Sequence, residues 1–154
     1  MISSRKSVMA KQLTFEHPEI GLLESEGNDL WTRTLSIVFD GLSWDIPLII
    51  QMDVTDGIEA NQVTAYLQYQ KQRDAVFHES EEILREYAKA SGVANLQKSS
   101  LAKRAQPVGI IFPDLRPRPT FGLLFDVTWD IGHGAAIKFV DGQFSEVGQQ
   151  DIVL

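Results

Sequence analysis

The residues most able to do chemistry lie in one short stretch near the C-terminus. Asp130 and His133 stand three residues apart, and His133 lies between Gly132 and Gly134, just after Trp129. A carboxylate beside an imidazole is an acid/base pair, and the flanking glycines would let a ligand or another backbone approach closely. The same residues also describe a tight turn with His133 at its tip. On the sequence alone both interpretations stay open.

Other catalytic and metal-binding patterns are missing from the sequence. The chain has three histidines, and the other two are far from His133, whereas a zinc site needs at least three converging protein ligands. The segment that begins at Asp141 resembles a calcium-binding loop, but Glu146 stands where that loop needs glycine and Ile152 where it needs glutamate. No nucleophile elbow, phosphate-binding glycine loop or His-Glu-x-x-His motif is present. We therefore predict no catalytic residue, no metal and no cofactor.

The composition predicts an acidic, cytoplasmic domain. The chain has 154 residues, a formal net charge of -7 and no cysteine. The lack of cysteine agrees with a reducing compartment, and no stretch approaches the roughly 18 apolar residues of a membrane span. Acidic balance disfavours binding to nucleic acid and favours a basic protein partner. We expect a flexible N-terminus over residues 1–11 and a single domain over residues 12–154.

Alternation of apolar and polar residues predicts strands at both ends of this domain. Residues 30–39 and 42–52 alternate and are separated by Asp40-Gly41, a pair typical of hairpin turns. Pro47 removes a backbone donor, so we expect the second of these strands to lie on an edge or to bulge there. The other predicted strands are residues 13–16, 107–112, 121–129, 135–140 and 143–147.

One long helix is predicted between the two groups of strands. Residues 58–90 contain neither proline nor glycine, Thr55 or Asp56 can cap the start, and Gly92 can end the helix. The polar run 70–74 indicates a bend or an exposed turn. This order predicts an α+β fold, an antiparallel sheet built from hairpins with one long helix packed across it. The side chains expected to face the sheet are Val63, Leu67, Phe77 and Leu84.

The C-terminal block resembles a family of small, uncharacterised bacterial domains of unknown function. Those domains carry the pattern Trp-Asp-x-Glu-His-Gly, then an apolar strand, then Val-Gly-x-x-Asp. Gly132 departs from the pattern, because the family usually has glutamate before the histidine. The matching residues are Trp129, Asp130, His133, Gly134, Val147, Gly148 and Asp151. The resemblance implies no established activity. Some members are suspected immunity or partner-binding proteins because of the genes that lie next to theirs.

Two functions follow as the main hypotheses, and a third, a structural or oligomeric module, rests on the exposed strand edge that Pro47 implies. The first is a non-enzymatic protein-binding domain, in the form of an immunity-type inhibitor of a basic toxin, with a candidate functional turn at Trp129, Asp130, His133, Gly134 and Asp151. It rests on the acidic charge, the absence of a catalytic motif and the resemblance. The alternative is a small ligand-binding or hydrolytic enzyme that uses Asp130 and His133. A concave pocket around both side chains would favour the alternative.

Overall fold

The computed structural model describes residues 13–96 and 100–154, which form a mixed α/β fold. The predicted flexible stretch, residues 1–11, lies outside the described residues. Two helices, α1 (Ala60–Lys71) and α2 (Arg73–Ala90), follow the fourth strand. The strands are β1 (Leu13–His17), β2 (Gly21–Ser25), β3 (Leu30–Phe39), β4 (Leu42–Gln51), β5 (Ala105–Phe112), β6 (Thr120–Val127), β7 (Ala135–Val140) and β8 (Gln143–Gly148). Over the described ranges, neither helix is long and apolar enough to cross a membrane.

The eight strands form one sheet in chain order, and all neighbouring pairs are antiparallel except β4 and β5. Two of the connections are Asp-Gly turns of one kind. Asp40 and Gly41 have φ angles of 54° and 73°, and Asp141 and Gly142 have φ angles of 54° and 78°. Two successive positive φ angles are those of a type I′ turn, whose twist matches that of the flanking strands. Asp and Gly suit it because both enter the left-handed region at low cost.

The parallel pairing of β4 with β5 explains how a proline fits inside the sheet. The prediction that Pro47 marks an edge strand is wrong, because β4 lies between β3 and β5. The β3–β4 register also runs without a bulge past Pro47, which stands opposite Thr34. The pairing with β5 begins one residue later, at Leu48 opposite Ile110. Pro47 has no N–H to donate, and the β4–β5 ladder starts only beyond it.

The single long helix of the prediction is also wrong, because the helical region breaks at Gln72. Gln72 has φ of -133° and ψ of 25°, outside the helical range, and its side-chain amide donates to the carbonyl oxygen of Gly142 at 2.7 Å. The polar run 70–74 offers no apolar side chain that would hold a straight helix against the sheet. The break lets α1 and α2 bury separate faces.

The start of α1 is set by a buried glutamine and not by Thr55 or Asp56. Glu59 is the N-cap residue, and its backbone N–H donates to the Gln62 side-chain oxygen at 2.8 Å. The Gln62 amide nitrogen donates in turn to the carbonyl oxygens of Gln51 at 2.6 Å and Phe112 at 2.9 Å. These two residues end β4 and β5. The first turn of α1 is therefore bonded to the ends of the parallel pair.

An aromatic cluster joins the helices to the sheet. The ring of Tyr69 on α1 meets Phe77 of α2 edge to face at 6.4 Å, Phe112 of β5 at 6.3 Å and Phe121 of β6 at 5.7 Å. Phe121 stacks on Phe139 of β7 at 4.9 Å. Such contacts add about 0.5–1.5 kcal/mol per pair to the free energy of apolar burial. Tyr69 is thus a central side chain of the core.

Replacing Phe77 with alanine should lower the free energy of unfolding by about 3–5 kcal/mol, because the ring is only 2% exposed and a cavity would remain. Leu67→Ala is the matched control. The sequence placed Leu67 on the same buried face, but it is 42% exposed because α1 buries Tyr66 and Tyr69 instead. We expect the control to cost less than about 1 kcal/mol in urea melts. The reverse order would contradict this packing.

Asp40 connects the β3–β4 turn to two other segments. Its Oδ2 accepts hydrogen bonds from the Ser100 hydroxyl at 2.6 Å and the Ala102 N–H at 2.9 Å, and Arg85 lies 3.8 Å from Oδ1. Partial burial by itself would raise the pKa of this carboxyl. The hydrogen bonds from Ser100 and Ala102 and the charge of Arg85 together outweigh burial, so the pKa of Asp40 is lowered from its ordinary value of 3.8.

Because the pKa of Asp40 is lower in the folded than in the unfolded protein, its carboxylate stabilises the fold above the unfolded pKa. That stabilisation is lost as the pH falls through the folded pKa. Asp40→Asn, which keeps the size and the tolerance of positive φ, should therefore destabilise the protein at about pH 7 and much less at about pH 2.5. Urea melts of both proteins at each pH measure this. An equal effect at both pH values would show that the charge is not responsible.

Candidate functional site

Four of the five predicted site residues share the turn that connects β6 to β7, which we call the 129–134 turn (Trp129–Gly134). Its backbone closes through the Gly134 N–H, which donates to the carbonyl oxygen of Asp130 at 2.9 Å. The Asp130 N–H in turn donates to the Val127 carbonyl oxygen at 3.4 Å. The segment thus leaves β6 and enters β7 through a compact, hydrogen-bonded loop.

The carboxylate of Asp130 holds this loop from both sides. Its Oδ1 accepts from the His133 backbone N–H at 3.2 Å and lies 3.0 Å from His133 Nδ1, while Oδ2 accepts from the Gln149 amide at 2.8 Å. An ionised carboxylate only accepts, so His133 Nδ1 carries the proton that it donates. The bond from Gln149 and then that from His133 keep the pKa of Asp130 below its ordinary value.

Gly134 is buried and takes the left-handed conformation, with φ of +61°. A Cβ at this position would collide with the Gln150 side chain and lie 2.8 Å from the Phe125 carbonyl oxygen. Gln150 occupies this space because its amide donates to that same oxygen at 3.0 Å, and its backbone N–H donates to the His133 carbonyl oxygen at 3.2 Å. Gly134 is therefore required by close approach as well as by backbone conformation.

Gln149 and Gln150 were missed as site residues. They come from the C-terminal segment, which follows β8 and is held in place by Val153. This fully buried residue lies against Gly122 of β6, where a Cβ would stand 2.6 Å from the nearest Val153 atom. One feature of the sequence could have pointed to these two glutamines. They are the two middle residues of the Val-Gly-x-x-Asp block, directly before Asp151.

Trp129 and Asp151 differ from the role that the sequence suggested. Trp129 turns inward, with its ring edge to face with Tyr87 of α2 at 6.1 Å. Burial and the neighbouring Asp130 raise the pKa of Tyr87. Asp151 is exposed on a short 3-10 helix, Gln150–Ile152, and no hydrogen bond among the described residues joins it to the turn. The block therefore brings Trp129, Asp130, His133 and Gly134 together, but not Asp151.

The tip of the turn projects into solvent. Ile131 is 90% exposed and the His133 side chain is 68% exposed. A side chain at Gly132, where the pattern predicted for the family has glutamate, would meet open space. Ile131 also lines an open cleft of about 310 Å³ with the basic residues Lys103 and Arg104. Within the described ranges, no three His, Asp or Glu side chains converge as metal ligands would.

A comparison with family models identifies the chain. A model described as a domain of unknown function (DUF6985) matches residues 19–154. The chain belongs to this family. No curated protein and no solved structure shows a significant match to this DUF6985 domain. Membership of an uncharacterised family is therefore confirmed, and the Trp-Asp-x-Glu-His-Gly pattern remains a prediction about its other members.

The two glycines of the turn give a matched test of its geometry. Gly134→Ala should lower the free energy of unfolding by at least about 1–2 kcal/mol, because a Cβ at positive φ is strained and the Phe125 oxygen beside it is backbone. Gly132→Ala should leave stability unchanged or raise it by up to about 1 kcal/mol, because it reduces the freedom of the unfolded chain in open space. Thermal and urea melts measure both. Similar losses in the two variants would mean that the turn has another backbone geometry.

Proposed function

We propose that this DUF6985 domain is a non-enzymatic protein-binding domain and that the 129–134 turn is part of its contact surface. The observation that carries the proposal is the exposure of Ile131 at the tip of a loop held by Asp130. A large apolar side chain that projects into water contributes favourably to binding once a partner buries it. Since the loop is already ordered by hydrogen bonds from His133 and Gln149, little conformational entropy is lost on binding.

The net charge suggests the chemistry of the partner. A formal charge of -7 attracts a basic protein and speeds their encounter. Lys103 and Arg104 outnumber Asp126 in the cleft beside Ile131, so the acidic charge would act through long-range steering, and the partner would meet this cleft with apolar or acidic groups. A basic toxin inhibited by this domain, as in immunity proteins, is the specific form of the proposal.

A second candidate is a small hydrolytic or ligand-binding enzyme that uses Asp130 and His133. The observation in its favour is the 3.0 Å contact between Asp130 Oδ1 and His133 Nδ1, the arrangement of an oriented general base. Against it, the His133 side chain is 68% exposed, and a site open to water gives little electrostatic stabilisation of a transition state. Hydrolysis of p-nitrophenyl esters that disappears in His133→Ala would favour this candidate.

A photo-crosslinking amino acid at position 131 tests the binding proposal in the native cell. We expect p-benzoylphenylalanine at Ile131 to capture a discrete protein. The matched control carries the same group at Leu115, which is 83% exposed and belongs to another loop, and it should not capture that protein. Ile131→Ser should then weaken binding of the purified partner by at least about tenfold, as expected for an anchor residue.

Three further measurements test the same proposal. Leu115→Ser should leave the affinity unchanged, and both variants should unfold like the wild type, because neither residue is buried. The association rate with a basic partner should fall as salt is raised, since screening weakens steering. Equal capture from positions 131 and 115 would show that the 129–134 turn is not part of the interface. An affinity that is unchanged by Ile131→Ser would show the same.

A further inference from the structure

We propose that the open edge of β3 binds an extended peptide segment of a partner protein by strand addition. We define the β3 edge as the backbone N–H and C=O groups of Ser36 and Val38. The inference shares with the proposed function only the premise that the domain binds protein. It concerns a different surface, formed by β3 and α2, and a different mode of contact, in which the partner's main chain provides most of the hydrogen bonds.

Among residues 13–96 and 100–154, no strand lies beside the β3 edge. β2 pairs with β3 through Glu24 and Thr32 alone, and β3 continues beyond this point to Phe39. Phe39 and Leu42 close the two-residue turn and bond each other, so the alternate residues Val38 and Ser36 direct their backbone groups away from β4. No hydrogen bond from the rest of the described chain reaches these groups. Such a row of unpaired donors and acceptors is a template for another strand.

Helix α2 runs beside this edge and forms the other wall of a groove. Two residues beyond Val38, the N–H of Asp40 donates to the Glu81 carboxylate of α2 at 3.1 Å. From Glu81 back to Arg73 the helix spans about 12 Å. From Asp40 back to Ser36 the strand spans about 13 Å. The two walls are therefore matched in length, and α2 closes one end of the edge while the stretch at Ser36 and Val38 stays open.

A cleft of about 310 Å³ lies between these walls, and its lining includes Ser36, Val38 and, from the helices, Tyr69. Tyr69 is fully buried, and its hydroxyl has no hydrogen-bond partner among the described residues. Burial raises the pKa of Tyr69 to about 12, so the hydroxyl stays protonated and can donate. Burying a hydroxyl without a hydrogen-bond partner is unfavourable, and a carbonyl oxygen of a bound segment would remove this cost by accepting its hydrogen bond.

The walls also indicate which side chains the segment carries. Successive residues of an added strand point to opposite faces of the sheet. On the helix side, Ile37 and Phe77 line the cleft and favour an apolar side chain, while the opposite charges of Arg73 and Asp74 leave no net charge there. On the other face, Asp45 lines the cleft and accepts from the Ser36 hydroxyl at 2.7 Å. Asp45 favours a basic side chain, which agrees with the net charge of -7. The segment is thus extended, with apolar and basic residues in alternation.

A second copy of this chain fits the groove less well than a peptide segment. An open edge can pair with itself in a symmetric dimer. Here, however, the edge of each copy is flanked by its own α2, and the cleft of about 310 Å³ admits a short segment of chain. The formal charge of -7 on each copy also opposes the association of two identical chains. We therefore assign the groove to a flexible or terminal segment of another protein.

The test uses peptides selected from a random phage-displayed library on the purified full chain. A selected peptide is synthesised with a fluorophore, and its dissociation constant is measured by anisotropy. Amide hydrogen exchange by NMR then locates the site. We expect binding to slow exchange at the Ser36 and Val38 N–H groups, while exchange at Leu35 and Ile37, which already bond β4, changes little.

Two substitutions separate binding from folding. Tyr69→Phe removes one unpaired hydroxyl, so stability should be unchanged or higher, while peptide affinity should fall by about three- to tenfold. Ser36→Pro removes an edge N–H that the β4 ladder does not use, and it should weaken binding by at least about tenfold. Ile131→Ser is the control and should leave peptide affinity unchanged, because Ile131 lies in the 129–134 turn.

The outcomes distinguish this inference from the proposed function. Peptides that bind without protecting Ser36 and Val38, or whose affinity is unaffected by Tyr69→Phe and Ser36→Pro, would overturn strand addition at this edge. Peptides that protect the 129–134 turn instead would overturn it while supporting the proposed function. Concentration-dependent dimerisation abolished by Ser36→Pro would show that a second copy occupies the edge, and would also overturn it. Failure to select any peptide that binds would also overturn strand addition at this edge.

Discussion

The buried amide of Gln62 is the interaction on which the arrangement of this domain depends. Its nitrogen donates to the last carbonyl groups of β4 and β5, at Gln51 and Phe112, and its oxygen accepts from the Glu59 N–H at the start of α1. The parallel pair β4–β5 covers only three residue pairs, because Pro47 prevents an earlier start. A polar group buried this deeply is stable only when its hydrogen bonds are made. Gln62 therefore fixes where the helical crossover begins and how it meets the sheet.

The helices cover the sheet unevenly, and this leaves open the β3 edge to which we assign peptide binding. The break at Gln72 lets α1 direct Tyr69 into the aromatic cluster and lets α2 lie along β3. Because β2 is short, α2 faces an open strand edge, and Glu81 satisfies only the amide of Asp40 at its end. Sheet edges of this kind are usually covered or charged in proteins that do not use them.

In the 129–134 turn, the residues that the sequence marked as an acid/base pair, Asp130 and His133, are bonded to each other and order the loop. The carboxylate of Asp130, paired with His133 and Gln149, orders the loop, and Gly134 allows Gln150 to pass close to the backbone of β6. The side chain that this loop exposes most is Ile131, whose position among Asp, Gly and His gave no hint of this exposure. Charge and hydrogen bonds thus hold the loop in place, and the apolar side chain of Ile131 is exposed to solvent at its tip.

Local patterns in the sequence were enough for the mixed α/β fold, for most of the strands and for a helical region between them. Those features depend on residue alternation and on the tolerance of Asp-Gly for positive φ, which neighbours in sequence determine. Long-range contacts decided the rest. The break at Gln72 needs the Gly142 carbonyl, the interior position of β4 needs β5, and the turn at Asp130 needs Gln149 from the C-terminal segment. Because these partners lie far apart in sequence, only tertiary packing brings their atoms within hydrogen-bonding distance.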